Sequence, residues 1–243
     1  FVFSATYRTG YWDSSLTRTT INPITGEISA GIDWEAGKLL NEKSAADRKI
    51  YMFSATDPNK RKEFKWAGSI QGTPAAAYFD VSSWADPVTK LSQWATLSAD
   101  GQTAGMAPGA LVNYIRGETT LEDDSGSTDK PFRGRENILG DIVNAETRFL
   151  GKSEFRYADA GHKSYVEWTA NPVNRAPVIF AAANDGMLHA FSAASGEELW
   201  SYIPTPVLPS LYKLADKNYV HQFYVDGTPE VGDFFDGTNW RTI

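Results

Sequence analysis

The fold is indicated by residues 178–204, VIFAAANDGMLHAFSAASGEELWSYIP, which place two turns between three strand-like runs. The first turn is NDG at 184–186, whose residues tolerate the positive φ that a tight hairpin needs, and apolar residues flank it on both sides. The second turn ends at Gly196, and residues 198–203 then restart an alternating strand. This order predicts a three-stranded antiparallel meander of the kind found in a β-propeller blade.

A similar order of elements occurs twice more along the chain. Residues 7–34 run from a strand through a polar strand to a turn that ends at Gly26, and then into a strand that reaches Trp34. A third unit begins at Tyr224 and passes through a turn at 236–239. The match is loose, but it favours repeated antiparallel blades. The tryptophans that follow these turns are expected to pack between blades, and they are Trp34, Trp200 and Trp240.

The length and composition of the chain favour a folded domain and argue against several other classes of protein. A chain of 243 residues is compatible with one all-β domain, and 42% hydrophobic residues are too many for a disordered chain. The net charge of −7 argues against a nucleic-acid surface, and the basic run at 60–62 is interpreted as a solvated loop. The absence of cysteine excludes disulfides, thiolate zinc sites and cysteine nucleophiles. No apolar run approaches the roughly 18 residues of a transmembrane segment.

Several segments between the blades have other patterns. Residues 86–97 have helical apolar spacing with a proline just inside the start, which predicts a helix. Residues 110–115 and 208–215 predict two more short helices, and 41–48 is a polar helical or turn segment. Residues 118–134 are acidic and rich in serine and glycine, which predicts an exposed loop. We therefore expect residues 1–243 to form part of a single propeller domain, with insertions near 41–48, 86–97 and 118–134.

The sequence has no recognisable catalytic motif. His162, His189 and His221 are far apart and lack the spacing of a zinc-binding pair, and His189 is interpreted as a structural histidine held by hydrogen bonds. Neither a nucleophile elbow nor a dinucleotide-binding glycine pattern is present. Residues 31–39 only superficially resemble a phosphate loop, since Leu39 occupies the place of the Ser or Thr that binds magnesium.

Calcium is the one metal that the sequence could bind through oxygen ligands alone. Residues 123–129, DDSGSTD, place oxygens at alternate positions but lack the distant bidentate glutamate of an EF-hand, so a solvated loop is favoured. The Asp216/Asn218 and Asp233/Asp236 pairs are interpreted as helix-end and turn residues. The spacing of the carboxylates leaves glycosidase activity open. No catalytic, cofactor-binding or metal-binding residue is therefore assigned.

A series of motifs resembles the PilC/PilY family of type IV pilus proteins, in the same order and over nearly the whole chain. Several linked motifs in order are more specific than any one of them. They lie at residues 3–12, 112–117, 132–133, 139–144, 183–191, 221–229, 232–233 and 240–242.

The resemblance implies a quinoprotein-like β-propeller of antiparallel blades, mainly β with short helical insertions, and not an enzyme. It implies a pilus assembly and tip adhesin protein that supports the balance of pilus extension and retraction. Its expected partners are minor pilins, the pilus tip complex and a host or abiotic surface, and its expected location is the pilus tip, cell surface or outer membrane of a Gram-negative bacterium.

The resemblance also bears on the extent of the chain and on its cofactors. The chain starts without an initiator methionine or signal segment, so we expect a piece of a longer protein with an incomplete propeller. A von Willebrand A-like domain is expected upstream and further blades downstream. The family's calcium loop is expected in those later blades, so calcium is implied for the full-length protein and no cofactor for this chain.

Two alternatives remain open. The glycine and tryptophan at 196 and 200 also resemble a docking strand of quinoprotein dehydrogenases, which would make the protein an enzyme. The paired cysteines of that family have no counterpart in this chain. A propeller scaffold for outer-membrane assembly is the other alternative, and it would bind proteins without catalysis.

Overall fold

The computed structural model describes residues 1–123 and 129–243, and within them the chain is mainly β. Their strands form three separate sheets. The strands are β1 Val2–Arg8, β2 Asp13–Ile21, β3 Ile28–Glu35, β4 Ile50–Phe53, β5 Arg61–Glu63, β6 Arg148–Leu150, β7 Val178–Ala183, β8 Met187–Ser192, β9 Glu198–Ile203, β10 Asp233–Phe235 and β11 Trp240–Thr242.

The helices of the described residues are short. The α-helices are α1 Ala36–Glu42, α2 Ala76–Phe79, α3 Ala99–Met106, α4 Ala110–Ile115 and α5 His162–Thr169. The 3₁₀-helices are Val81–Ser83, Pro87–Thr89, Trp94–Thr96 and Thr205–Ala215, and Trp66–Ile70 is an irregular turn with a kink at Ala67 and Gly68. Among these helices, none combines the length and the apolar character that crossing a bilayer requires.

The predicted meander is confirmed as the centre of a six-stranded sheet with the order β5-β4-β9-β8-β7-β6. β7 pairs antiparallel with β8, and β8 pairs antiparallel with β9. Gly186 and Gly196 have φ of +90° and +78°, as the two predicted turns require. Consecutive residues of a strand point to opposite faces of the sheet, and residues 181–183 of β7 are all buried. Both faces of the strand are therefore covered, which explains why β7 is an uninterrupted apolar run.

The sheet extends beyond the predicted meander on both sides. β4 lies parallel to β9, and β5 and β6 form the two edges. β4 and β6 have four and three residues, which is too short for alternation to identify a strand. These two strands form because each pairs with a strand that is distant in the sequence, β9 for β4 and β7 for β6. The local sequence pattern does not predict them.

The other two predicted units form small sheets of their own. β1, β2 and β3 make a three-stranded antiparallel sheet, and the turn between β2 and β3 ends at Gly26 with φ of +75°. β10 and β11 make a two-stranded hairpin. Its turn is fixed by the carboxylate of Asp236, which accepts hydrogen bonds from the backbone N–H groups of Thr238 and Asn239 at 2.9 and 2.8 Å.

Trp34 joins the three-stranded sheet to the six-stranded sheet, as expected of a residue packed between blades. Its indole Nε1 donates to the carbonyl of Ala193 at 3.3 Å, and its ring lies against Gly196. Trp200 differs from the expectation because its ring contacts Phe180 of its own sheet. Trp240 packs against His162, which attaches the β10–β11 hairpin to α5.

Two hydrophobic clusters hold the elements together. One combines β4 with the helical segments between residues 64 and 115 and with the 3₁₀-helix Thr205–Ala215. The other combines the three-stranded sheet, α1, residues 138–145, β7 and β8. Both clusters contain residues of the six-stranded sheet, so this sheet is shared by the two cores.

The prediction of one helix in residues 86–97 is wrong. The carboxylate of Asp86 caps a single turn by accepting from the backbone N–H of Val88, and a separate turn forms at Trp94–Thr96. Between them, Ser92 bonds to Asp216, and the amide of Gln93 donates to two distant backbone carbonyls. These tertiary hydrogen bonds outweigh the local preference for a continuous helix.

The prediction of an exposed loop at 118–134 is wrong for residues on both sides of 124–128, although Thr119 and Thr120 are exposed as predicted. Glu122 and Phe132 are buried and form a parallel bridge. Phe132 packs against Tyr114, while the Glu122 carboxylate accepts from the Arg135 backbone N–H at 2.8 Å. The buried Phe132 ring and the paired Glu122 carboxylate thus anchor the segment. Residues 124–128 lie outside the described residues.

The remaining helix predictions have mixed outcomes. The helix at 110–115 is confirmed as α4, and the one at 208–215 is confirmed as part of the longer 3₁₀-helix Thr205–Ala215. In the segment 41–48, α1 ends at Glu42 and turns follow. Sequence reasoning did not predict α1 itself, whose Ala36 and Leu40 lie one turn apart and are both buried.

Candidate functional site

Residues 139–144 connect the three-stranded sheet to the six-stranded sheet. The backbone N–H of Ser14 donates to the Leu139 carbonyl, and the Ser14 hydroxyl accepts from the N–H of Ile142 at 2.6 Å. On the other side, the N–H of Gly140 donates to the Asp185 carboxylate at 3.1 Å. A Cβ at position 140 would lie 2.3 Å from the Asp185 nitrogen, so this close approach requires glycine.

Asp141 organises the polar centre of this connection. Its carboxylate accepts from the Asn184 amide at 2.8 Å and from His221 Nε2 at 2.7 Å. The Asn184 carbonyl oxygen in turn accepts from the backbone N–H of Tyr224 at 2.9 Å. Together these hydrogen-bonded residues form the junction, which consists of Gly140, Asp141, Asn184, Asp185 and His221. Four of the motifs that carried the family resemblance contribute to it or contact it, so their shared role is to hold separate segments in register.

A chain of buried charges extends from the junction into the sheet. His189 Nε2 lies 3.0 Å from Asp185, and His189 Nδ1 lies 2.9 Å from Glu198. Glu198 also accepts two parallel hydrogen bonds of 2.8 Å from Arg48. The side chains of Arg48, His189 and Glu198 are fully buried. The geometry therefore holds two carboxylates against two cationic side chains, away from solvent.

Both ring nitrogens of His189 face carboxylate oxygens, and this arrangement favours the protonated, positively charged imidazole. Burial alone would lower the pKa of His189, but the attraction and hydrogen bonds of Asp185 and Glu198 outweigh burial and raise it to about 9. Burial would raise the pKa values of the two carboxyls, but the nearby cations hold both below their usual range. His189 is accordingly an imidazolium that donates from both nitrogens.

The stability of the fold is expected to decrease as pH rises through about 9. The raised pKa of His189 gives a contribution that is complete below its unfolded value near 6.5 and is lost as the folded imidazolium titrates at about 9. Urea unfolding between pH 6 and 10 measures this slope, with the His189→Gln variant as the comparison. A slope that is the same in both proteins would contradict the assignment.

The three histidines occupy three separate sites, and each has its own carboxylate partner. His162 accepts from the Tyr157 backbone N–H at Nδ1 and lies 2.9 Å from Asp233 through Nε2. His189 is buried and hydrogen-bonded between its two carboxylates, which agrees with its interpretation as a histidine held by hydrogen bonds. In the described part of the chain, no three His, Asp or Glu side chains are grouped in a way that could hold a metal ion.

The acidic run at 123–129 is described only at its ends. The Asp129 carboxylate accepts from the backbone N–H and the hydroxyl of Ser98, at 2.7 and 2.6 Å, at the start of α3. Asp123 pairs with Lys217 at 2.8 Å. Both end carboxylates therefore have protein partners. The middle of this acidic run, 124–128, lies outside the described residues, and so does that part of the prediction of a solvated loop.

An aromatic edge lies at the surface above the junction and consists of Tyr11, Trp12, Tyr219, His221 and Phe223. Trp12 stacks on His221 with 4.0 Å between ring centroids, and Phe223 meets the same imidazole edge-on at 4.9 Å. Tyr11 and Phe223 are 53% and 62% exposed. Trp12 is half-buried and has φ of +56°, which is strained for a bulky side chain, so its stacking on His221 holds the ring in a costly backbone conformation.

Sequence reasoning missed most of the charged residues of this site. Arg48 belongs to a polar segment that has the composition of a solvated turn, yet it is only 1% exposed. Glu198 follows a turn and is the first residue of β9, and nothing in the neighbouring sequence indicates that its side chain is buried. Only the NDG turn at 184–186 was a usable signal, because it placed Asp185 near His189 in the hairpin.

Comparisons with known proteins identify the family. Residues 139–243 match the family of the PilY1 beta-propeller domain, and this match includes residues 139–144, the turn 184–186 and His221. The type IV pilus biogenesis factor PilY1 of Pseudomonas aeruginosa strain UCBPP-PA14 is 30% identical in an alignment that covers 96% of the chain. The chain belongs to the PilY1 family. The predicted β-propeller class is thereby confirmed.

Other PilY1 relatives extend the comparison. The PilY1 homolog of Xylella fastidiosa is 37% identical over 172 residues, or 66% of the chain. PilY1 of Pseudomonas aeruginosa strain PAK is 32% identical and covers 96% of the chain. The chain spans only 14% of the length of the Xylella relative and 19% of the length of the Pseudomonas relatives. No solved structure matches the chain.

Proposed function

We propose that this chain is a propeller region of a type IV pilus biogenesis factor, and that it acts through protein contacts at the cell surface. The support is its similarity to PilY1 proteins, which are named as such factors. The PilY1 family is not an enzyme family, which agrees with a role that needs neither catalysis nor a cofactor in this segment. The quinoprotein dehydrogenase alternative gains no support from any of the matched relatives.

The finer proposal is that the protein is exported and located at the pilus tip. There it binds minor pilins, supports the balance of extension and retraction, and contributes to attachment to a host or abiotic surface. The family resemblance of the sequence motifs supports these roles. Calcium binding is proposed only for the full-length protein, outside this segment.

The aromatic edge is the surface that we assign to the pilus-side partner. It combines exposed rings with a rigid support, because the junction fixes Trp12 and His221. Exposed aromatic side chains with little rotamer freedom dominate the binding energy of many protein interfaces. The buried charge chain then has a structural function, since it holds β8 and β9 beneath this edge.

The test is to recover pili by shearing from a bacterium that expresses the full-length protein. Phe223→Ala is expected to reduce the amount in the pilus fraction about tenfold, the effect of losing an interface anchor of about 1.4 kcal/mol. Val173→Ala is the control, because Val173 is 89% exposed and lies in another loop.

Two outcomes would count against the proposal in different ways. Absence of the unmodified protein from pilus fractions removes the pilus assignment itself. A normal amount of the Phe223→Ala protein keeps that assignment and removes the aromatic edge as the contact. Total cellular protein measured by immunoblot separates both outcomes from a loss of folding.

A further inference from the structure

A second group of aromatic residues forms an open cleft between α5 and the β10–β11 hairpin. This aromatic cleft has a volume of about 580 Å³, which is within the range of small-ligand sites. Its lining residues carry no charge. They are Ala160, Gly161, Tyr165, Trp168, Phe235, Thr238, Asn239 and Trp240.

The aromatic rings of the cleft are available at the surface and are held in place. Trp168 and Phe235 are 49% and 52% exposed. The rings of Tyr165 and Trp168 are nearly parallel, with centroids 6.0 Å apart. Trp240 is fixed because its indole Nε1 donates to the carbonyl of Ala160 at 3.0 Å. The rings are therefore already ordered, and a ligand would not have to immobilise them when it binds.

Two polar side chains of the cleft have no hydrogen-bond partner among the described residues. The side chains of Thr238 and Asn239 make no hydrogen bond to any residue that the structure describes. Their backbone N–H groups are nevertheless fixed by the Asp236 carboxylate, which holds the loop. The cleft thus offers one hydroxyl and one amide beside the aromatic faces.

We propose that the aromatic cleft binds a neutral saccharide. A sugar ring presents C–H groups with partial positive charge on one face, which suits the negative face of an aromatic ring, and hydroxyls at its rim. The amide and hydroxyl of Asn239 and Thr238 match those hydroxyls. The uncharged lining disfavours phosphorylated, sulfated or acidic ligands, because no cationic side chain lines the cleft.

Calorimetric titration of the chain with maltohexaose, cellohexaose and chitohexaose tests this site. At least one of these neutral oligosaccharides is expected to bind, with quenching of tryptophan fluorescence. Trp168→Ala is expected to weaken binding about tenfold, because it removes a ring face on which the sugar stacks. Asn239→Ala is expected to weaken it a few-fold through the lost hydrogen bond.

Phe53→Ala is the matched control, because Phe53 is an equally exposed aromatic residue on β4, outside the cleft. It should leave the affinity unchanged, and all three variants should keep the wild-type melting temperature. Absence of binding by all three oligosaccharides up to about 10 mM, where millimolar affinities are still detected, overturns the proposal. So does binding that Trp168→Ala does not change.

A third result would also overturn the proposal. If Trp168→Ala abolished a dimer in sedimentation analysis while no oligosaccharide bound, the cleft would be a contact between copies of the chain. The saccharide titration is independent of the pilus assay, so either proposal can fail without the other.

Discussion

Replacing Arg48 with methionine is expected to lower the free energy of unfolding by about 3–5 kcal/mol. Arg48 makes two hydrogen bonds of 2.8 Å to Glu198 and a third to the carbonyl of Arg116. Methionine keeps most of the volume but removes the charge. Two buried carboxylates then face a single imidazolium, and an unpaired buried charge has a high desolvation cost. Urea unfolding at pH 7 measures the change.

A matched arginine and a double variant isolate the cause of this loss. Arg61 is exposed on β5 at the edge of the same sheet, so Arg61→Met should change stability by less than about 0.5 kcal/mol. Adding Glu198→Gln to Arg48→Met removes the unpaired carboxylate and should recover part of the loss. A loss under about 1 kcal/mol for Arg48→Met would show that the buried ion pair contributes little.

Replacing Gly196 with alanine is expected to lower the free energy of unfolding by about 2–5 kcal/mol. The left-handed backbone, with φ of +78°, costs an alanine about 1–2 kcal/mol. The new methyl group would also lie 2.6 Å from the Trp34 ring, and such overpacking adds about 1–3 kcal/mol. Thermal or urea unfolding of the purified variant gives the total.

Gly26 separates the two contributions. It has nearly the same φ, +75°, but no atom lies within 4 Å of the position that a Cβ would occupy. Gly26→Ala should therefore show only the backbone cost of about 1–2 kcal/mol. Equal losses at Gly26 and Gly196 would mean that Trp34 moves aside freely, and the contact between the two sheets would then be weaker than the structure indicates.

The sequence predicts the structure best where local residues determine the backbone conformation of a turn. The NDG turn, the glycines at 26 and 196 and the turn at 236–239 all specify conformations that few other residues adopt, and every strand next to these turns was predicted. Residues 139–144 were recognised through the family resemblance. Their role in connecting two sheets was not visible, because it depends on partners from other parts of the chain.

The missed features depend on distant contacts. β4 is defined by its partner β9, and a four-residue run has no periodicity of its own. The helix predicted in residues 86–97 is interrupted by bonds to Asp216, Pro131 and Ala215. For the candidate site, burial of Arg48 follows from the position of Glu198 in the sheet, which no local pattern indicates.

The parallel pairing of β4 with β9 also constrains the order of folding. Ile50 pairs with Ser201, and Met52 pairs with Ile203. At a synthesis rate of about 5–20 residues per second, β9 leaves the ribosome roughly 7–30 seconds after β4. During that interval β4 and β5 form only a hairpin with an open edge, which is prone to pair with other chains. A chaperone that protects unpaired strands would therefore matter most before β9 is made.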